Sequence, residues 1–190
     1  QSAFEQLNAL MKQDPNVLSL SGSKDHIGRT ASSTVVHMPP NLQYEVSQLS
    51  VDANYLETMG LDLLDGRGFK EHSESDRQAI LVNELLVKNF NLTQPLGHQF
   101  EIDSIKFEVI GVLKDFHHES FFNKVQPTIF KVVAEQDYRY LNIRVKDGTE
   151  QNTYSTLQAH WAKLYPEIPF QGGYQEDVWS GYFYSLDKSV

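Results

Sequence analysis

Four residues that could take part in acid/base or metal chemistry stand together in the middle of the chain: Asp115, His117, His118 and Glu119. On an extended chain, the side chains of Asp115, His117 and Glu119 point to one side, because successive side chains alternate. His118 then points to the other side. Imidazole and carboxylate groups bind divalent metals. One hypothesis is therefore a metal-dependent hydrolase that uses Asp115, His117 and Glu119.

The same residues also fit a structural loop. Their spacing matches no established zinc or iron motif, and no distant histidine stands out as a further ligand. Phe116, Phe121 and Phe122 alternate with polar residues, as in a loop that is anchored on a core. We therefore predict no metal, no cofactor and no catalytic residue, and a polar loop from Asp115 to Glu119 after a buried strand.

Other candidate segments are better explained by structural roles than by chemistry. Gly66 to Gly68 contains two glycines around Arg67, but it lacks the third glycine of a dinucleotide-binding loop, so it predicts a turn. The serines at Ser21 to Ser23 and at Ser32-Ser33 have no nucleophile-elbow motif around them. The chain has no cysteine, which excludes thiolate metal sites and cysteine nucleophiles.

The composition bounds the class of protein. The chain has 190 residues, of which 40% are hydrophobic and 22% charged, as in a globular domain. Its net charge of -9 argues against a nucleic-acid partner, because binding phosphates needs clustered basic residues. No window approaches the roughly 20 apolar residues of a membrane-spanning helix. The chain opens at Gln1 without an initiator methionine, so we expect a segment of a longer protein.

Hydrophobic spacing predicts the elements that must position these residues. Helices are expected at 4–11, 54–59, 83–90 (with Asn83 as the N-cap) and 151–165. Strands are expected at 17–20, 34–37, 44–51, 79–82, 100–102, 107–113, 128–133, 140–145 and 168–170. Both ends of the chain follow the order helix, proline, strand. This repeated order indicates two similar α/β units that pair in space, with a strand-rich middle inserted between them.

Five blocks of sequence stand in order along nearly the whole chain. They are DPNVLSLSGS (Asp14–Ser23), VDANYLETMGLDLLDGRGF (Val51–Phe69), AILVNE with QPLG (Ala79–Glu84 and Gln94–Gly97), FEVIGVLKDFHHES with Gln126-Pro127 (Phe107–Ser120), and YPEIPF (Tyr165–Phe170). Together they resemble the MacB-like periplasmic core domain of ABC transporter permeases in the FtsX/MacB superfamily. His118 stands where an aromatic residue is common in that family, which weakens it as an obligate metal ligand.

The resemblance implies an α+β fold with two subdomains. A porter-like α/β subdomain would be built from residues 1–52 and 137–190, and residues 53–136 would form an inserted strand-rich subdomain. The domain would lie in the periplasm, as part of an inner-membrane permease, between two of its transmembrane helices. It would couple ATP-driven motion of those helices to export or to periplasmic work. The implied partners are the flanking helices, a second permease protomer or half, and a separate cytoplasmic ATPase subunit.

Two further alternatives remain open. The aromatic run of Trp179, Tyr182, Phe183 and Leu186 would share one face of a helix, which suits either core packing or an amphipathic stalk that approaches a bilayer. An extracytoplasmic sensor domain that binds a small ligand between its subdomains is a further functional hypothesis. The two hypotheses predict different downstream sequences. A sensor domain should be followed by a histidine-kinase segment, whereas a permease domain should be followed by several membrane spans.

Overall fold

The structure, a computed structural model, describes residues 2–29, 31–38, 41–116 and 125–177. In these ranges the α-helices are α1 (Ala3–Met11), α2 (Tyr55–Met59), α3 (Glu84–Asn89) and α4 (Glu150–Leu164). The strands are β1 (Val17–Ser23), β2 (Ser32–Met38), β3 (Leu42–Val51), β4 (Leu63–Gly66), β5 (Ala79–Asn83), β6 (Gln99–Ile102), β7 (Ile105–Leu113), β8 (Thr128–Val132) and β9 (Tyr140–Val145). This mixture confirms the predicted α+β class.

The chain divides into two compact units. Unit 1 comprises Gln1–Leu20 and Ile143–Val190, and unit 2 comprises Ser21–Asn142. Unit 1 is therefore discontinuous in sequence, with unit 2 inserted into it. The predicted subdomain boundaries lie at 52/53 and 136/137, and they stay a prediction.

Unit 2 is built on a closed ring of six strands. Neighbouring strands pair in the order β2, β6, β7, β5, β8 and β3, and β3 pairs back to β2. The β3–β8 and β5–β7 pairs are parallel, and the other pairs of the ring are antiparallel. Closure pairs the backbone groups that an open sheet leaves exposed at its edges. β4 pairs with the end of β7 that β6 does not cover.

The hydrophobic core of unit 2 comes from the inward-facing residues of these strands. Because side chains alternate along a strand, every second position can face the core. The buried cluster contains Val36, Val46, Ile80, Val82, Phe100, Ile102, Phe107, Val109, Val112 and Ile129. α3 adds Leu86 and Phe90, and the Phe90 ring lies 4.4 Å from that of Tyr44. The core therefore fixes the position of α3 against the strands.

Local turn chemistry sets the register of the β6–β7 hairpin. Asp103 and Ser104 have φ angles of 51° and 64° and form the two-residue connection that their sequence predicted. Two positive φ angles give a turn whose twist matches that of paired strands. Gly60, with φ of 67°, ends α2 in the left-handed conformation that glycine adopts without strain.

Unit 1 is organised around α1 and α4, which pack against each other. Ser2 caps α1: its hydroxyl accepts a hydrogen bond from the backbone N–H of Glu5, and the Glu5 carboxylate accepts one from the N–H of Ser2. Leu7 and Met11 are the buried residues of α1. The amide of Gln6 donates a hydrogen bond to the hydroxyl of Tyr165, which joins α1 to the end of α4.

The structure corrects two local predictions. Residues 168–170, predicted as a strand, form no strand, because α4 side chains hold this segment instead. The indole N–H of Trp161 donates to the backbone oxygen of Ile168 at 2.7 Å, and the ring of Phe170 contacts those of Trp161 and Tyr154. The turn predicted at Gly66 to Gly68 is also wrong, since Gly66 is the last residue of β4 and pairs with β7.

Candidate functional site

A buried asparagine lies where β5 ends and α3 begins. β5 is a run of fully buried residues, and Asn83, its last residue, has no exposed surface. The side-chain oxygen of Asn83 accepts a hydrogen bond from the backbone N–H of Leu86, as predicted for the N-cap of this helix. The same oxygen accepts a second hydrogen bond, at 2.9 Å, from the N–H of Thr128 at the start of β8.

Both N–H groups of the Asn83 side chain are also hydrogen-bonded. It donates to a carboxylate oxygen of Asp115 and to the backbone oxygen of Gln126, both at 2.9 Å. An asparagine side chain has two N–H donors and an oxygen with two lone pairs. All four hydrogen-bonding positions of Asn83 are therefore occupied, although the side chain is buried.

Asp115 and Glu84 complete this arrangement. The Asp115 oxygen that accepts from Asn83 also accepts from the backbone N–H of Leu85, at 2.9 Å. The Glu84 carboxylate accepts a hydrogen bond from the N–H of Asp115, at 3.0 Å. Asp115 thus satisfies one of the N–H groups that a helix leaves unpaired in its first turn. We call Asn83, Glu84, Asp115, Gln126 and Thr128 the Asn83 junction.

The Asn83 junction holds the residues on either side of the segment 117–124. Asp115 lies before that segment and Gln126 after it, and both are tied to Asn83. The ring of Phe116 lies 5.5 Å from that of Phe130 on β8. The junction therefore explains why the AILVNE and FEVIGVLKDF blocks occur together: their polar residues bond to one another.

Most of the predicted metal site lies outside the described residues. This applies to His117, His118 and Glu119, and also to Phe121, Phe122 and the aromatic run from Trp179 to Leu186. Of the proposed ligands only Asp115 is described, and its carboxylate is part of the Asn83 junction. Within the described ranges, no group of three His, Asp or Glu side chains is placed to hold a metal ion. The opposite orientation of His117 and His118 stays a prediction.

A second carboxylate, which the sequence did not single out, belongs to the half-buried Asp52 directly after β3. It accepts hydrogen bonds from the backbone N–H groups of Gly22, at 2.6 Å, and Asn54, at 3.0 Å. Burial raises the pKa of Asp52 to about 6, and the negative charge of Glu71 acts in the same direction. Backbone hydrogen bonds from Gly22, Asn54 and Tyr55 lower the pKa and offset part of this effect.

Among the described residues, Asp25, His26 and Ser32 do not form a catalytic triad. Asp25 accepts hydrogen bonds from the hydroxyl of Ser32 and from the backbone N–H of Ser50, each at 2.9 Å. The Ser32 proton is therefore directed to a carboxylate, whereas a nucleophilic serine donates to an imidazole. The Nδ1 atom of His26 lies 3.2 Å from the hydroxyl of the buried Tyr55.

The arginine of the segment Gly66 to Gly68 has a structural role. Both terminal nitrogens of Arg67 donate to Asp76, at 2.9 and 2.8 Å, and Asp76 is only 1% exposed. Hydrogen bonding from Arg67 lowers the pKa of Asp76 to about 2. The backbone N–H groups of Gly66 and Arg67 donate to Asp65 and Ile110, so these N–H groups, like the guanidinium, are not available to a phosphate.

The fold is similar to the folds of two solved extracytoplasmic domains. The crystal structure of the periplasmic region of MacB from Actinobacillus actinomycetemcomitans is similar, with a TM-score of 0.63 and 17% sequence identity, over 84% of this chain and 72% of that chain. The extracellular domain of the noncanonic ABC-type transporter YknZ from Gram-positive bacteria is similar with a TM-score of 0.62 and 16% identity, over 85% of this chain and 83% of that chain.

The sequence assigns the chain to a family. The MacB-like periplasmic core domain family matches residues 4–156, and the chain belongs to this family. It is a MacB-like periplasmic domain of an ABC transporter permease, as its sequence blocks predicted. No curated protein matches the sequence. Among the residues that the structure describes, no helix has the length and apolar character needed to cross a bilayer.

Proposed function

We propose that this domain couples ATP-driven motion of permease helices in the inner membrane to export or to work in the periplasm. It does so without catalysing a reaction, and it binds no metal or cofactor. Its partners are the flanking transmembrane helices, a second permease protomer or half, and a cytoplasmic ATPase subunit. Membership of the MacB-like periplasmic core domain family supports this proposal.

The observation that carries the proposal is the Asn83 junction. A domain that transmits displacement has to move as one body, so its elements must not slide against each other. Asn83 joins β5, α3, β8 and the residues after β7 through four hydrogen bonds. Leaving such buried groups unpaired costs about 1–3 kcal/mol each. The junction therefore favours rigid-body movement of unit 2 over local deformation.

The use of the buried polar groups supports a non-catalytic role. The buried side chains of Asn83, Asp25 and Asp76 all have partners within the chain. Asn83 bonds to the exposed Asp115, Asp25 bonds to Ser32 and Ser50, and Asp76 pairs with Arg67. Groups that perform chemistry face a substrate and are held ready for it. Here the buried groups instead bond to other segments of the chain, which indicates that they stabilise the fold.

The coupling can be tested by electron paramagnetic resonance distance measurements on the full-length permease with its ATPase. A spin label is attached to the cysteine of Lys106→Cys, because Lys106 is exposed and this domain contains no other cysteine. A second label is placed on the periplasmic domain of the partner protomer or half. We expect the distance distribution to differ between nucleotide-free and ATP-bound states. Identical distributions in all nucleotide states would refute the coupling.

The role of the Asn83 junction in this movement is tested in the same transporter. We expect Asn83→Ala to broaden the distance distribution and to reduce transport, while binding of ATP by the ATPase subunit is unchanged. Asn89→Ala is the matched control, because Asn89 is an exposed residue at the end of the same helix. If both variants behave alike, the junction does not carry the movement.

A further inference from the structure

An open cleft lies in unit 2 between β4, α3 and the turn around Pro95. Its volume is about 530 Å³, which is in the range of sites that bind ligands. Its apolar lining includes Leu64, Leu85 and Pro95. A second cleft of about 320 Å³ shares Asp65 and Pro95 with the first and continues to Leu96. We call these two adjoining clefts together the β4 groove.

The β4 groove exposes large apolar side chains. Leu64 is 51% exposed and Leu96 is 39% exposed. All four residues of β4 are exposed, although the strand is paired with β7. Single exposed apolar residues are common on protein surfaces, but apolar residues that line one concavity mark binding surfaces.

The β4 groove also carries an excess of negative charge. Three carboxylates line it, from Asp65, Glu84 and Asp115, against the single ammonium group of Lys88. Among the described residues the ion pairs are Arg67–Asp76 and Arg77–Glu74, so none of these four charges is in a salt bridge there. Charges that line a concave surface act together and favour a ligand of the opposite sign.

We propose that the β4 groove binds a segment of a partner protein in which lysine or arginine side chains alternate with apolar ones. The apolar residues would cover Leu64, Leu85 and Leu96, and the basic side chains would reach the carboxylates. Long basic side chains suit this arrangement because their apolar stems pack while their charged ends stay near acceptors. Two open clefts that adjoin at Asp65 and Pro95 favour a peptide segment, which can occupy both, over a compact small molecule, which fills one. This inference is independent of the proposed mechanical coupling.

The probe is an acetylated and amidated peptide of sequence Leu-Lys-Leu-Lys-Leu, titrated into the isotope-labelled 190-residue domain and followed by NMR. We expect the largest shift changes at Leu64, Leu85 and Lys88. We expect Asp65→Lys to weaken binding by about fivefold, because it replaces an attraction with a repulsion of an exposed charge. Lys88→Glu should strengthen binding by a similar factor. Asp65 is chosen because, among the residues that the structure describes, only the adjacent N–H of Gly66 donates to its carboxylate.

Matched charge changes outside the groove are the controls. Glu45→Lys on β3 and Lys106→Glu on β7 alter the net charge equally at exposed positions. Equal effects of groove and control variants would reveal general attraction to an acidic chain and overturn the proposal. Equal binding of Leu-Glu-Leu-Glu-Leu would overturn it as well. Sedimentation that shows a dimer, lost in Asp65→Lys, would identify a second copy as the occupant instead. The amide spectrum of each variant reports whether it is folded.

Discussion

At the scale of single residues, Asn83 is expected to be the polar side chain with the largest effect on stability. Asn83→Ala removes both acceptor and donor, and it leaves the buried N–H of Thr128 without its partner. We expect the free energy of unfolding to fall by roughly 3–5 kcal/mol. Urea denaturation of the isolated domain measures this change.

Asn89→Ala serves as the comparison for that measurement. Asn89 is exposed, so its replacement should change stability by less than about 0.5 kcal/mol. A loss in Asn83→Ala that is no larger than this would mean that its four hydrogen bonds contribute little net stability. The mechanical role proposed for the Asn83 junction would then lose its physical basis.

Asp52 gives the protein a specific dependence on pH. Its pKa is about 6 in the folded protein against an ordinary value of 3.8 for aspartate, so the folded state binds the proton more tightly. The stability linked to this proton is fully present below about pH 4 and is lost as the pH rises through about 6. A shift of this size corresponds to roughly 2–3 kcal/mol.

The test compares Asp52→Asn with the unaltered chain in urea denaturation at pH 4.5 and pH 7.5. We expect the fall in stability between these two pH values to be smaller in Asp52→Asn, since the amide does not titrate. Asp103→Asn is the control, because Asp103 is exposed and asparagine also accepts its positive φ. An unchanged pH dependence in Asp52→Asn would show that Asp52 does not titrate in this range.

At the scale of elements, Gly111 on β7 permits the close approach of β4. A Cβ atom at Gly111 would lie 2.5 Å from the backbone oxygen of Arg67 and 2.9 Å from a methyl group of Leu81. The backbone of Arg67 is itself fixed by its hydrogen bond to Ile110. We therefore expect Gly111→Ala to destabilise the domain by roughly 1–3 kcal/mol. Hydrogen exchange should also show faster opening of β4.

Gly68→Ala is the matched control for this substitution. A Cβ atom at Gly68 would have no atom within 4 Å, so this change should leave stability nearly unaltered. Thermal unfolding of both variants separates a steric effect from a general effect of replacing glycine. Equal destabilisation would contradict the tight packing of β4 on β7.

Elements with a strong local signal could be predicted from the sequence. Helical spacing located α1 and α4, Asn83 was the expected N-cap, and the Asp103-Ser104 connection was the expected hairpin turn. The pairings of β2 with β6 and of β3 with β8, which the closed ring needs, join segments that lie far apart in the sequence and have no local signal. The 168–170 segment has a strand-like composition, yet aromatic side chains of α4 determine its conformation.

In the candidate site, too, the sequence predicted local features but not the contacts between distant residues. Asp115 was recognised because it stands beside histidines, but its actual partners, Asn83 and the backbone of Leu85, are about 30 residues away in sequence. Asp52 carries no motif, since its raised pKa results from burial in the folded chain. Residue types can suggest chemistry, whereas burial and long-range hydrogen bonds decide whether a group is reactive or structural.

At the scale of the whole molecule, the order of the two units agrees with insertion between membrane helices. Unit 1 is formed from segments before residue 21 and after residue 142, so the chain enters and leaves unit 2 through unit 1. An inserted domain whose two ends belong to one unit can be carried by two neighbouring membrane helices. We therefore expect segments of about 20 apolar residues on both sides of this domain in the full-length protein.

The proposed function predicts that the domain lies on the periplasmic side of the inner membrane. In spheroplasts that express the full-length permease, a membrane-impermeant maleimide should label the cysteine of Lys106→Cys, because Lys106 is exposed on unit 2. A cysteine at the buried position Ile80 is the accessibility control and should react only after denaturation. Labelling of Lys106→Cys only after the spheroplasts are lysed would place the domain in the cytoplasm. That outcome would contradict a periplasmic role and, with it, the proposed coupling of ATP hydrolysis to work outside the membrane.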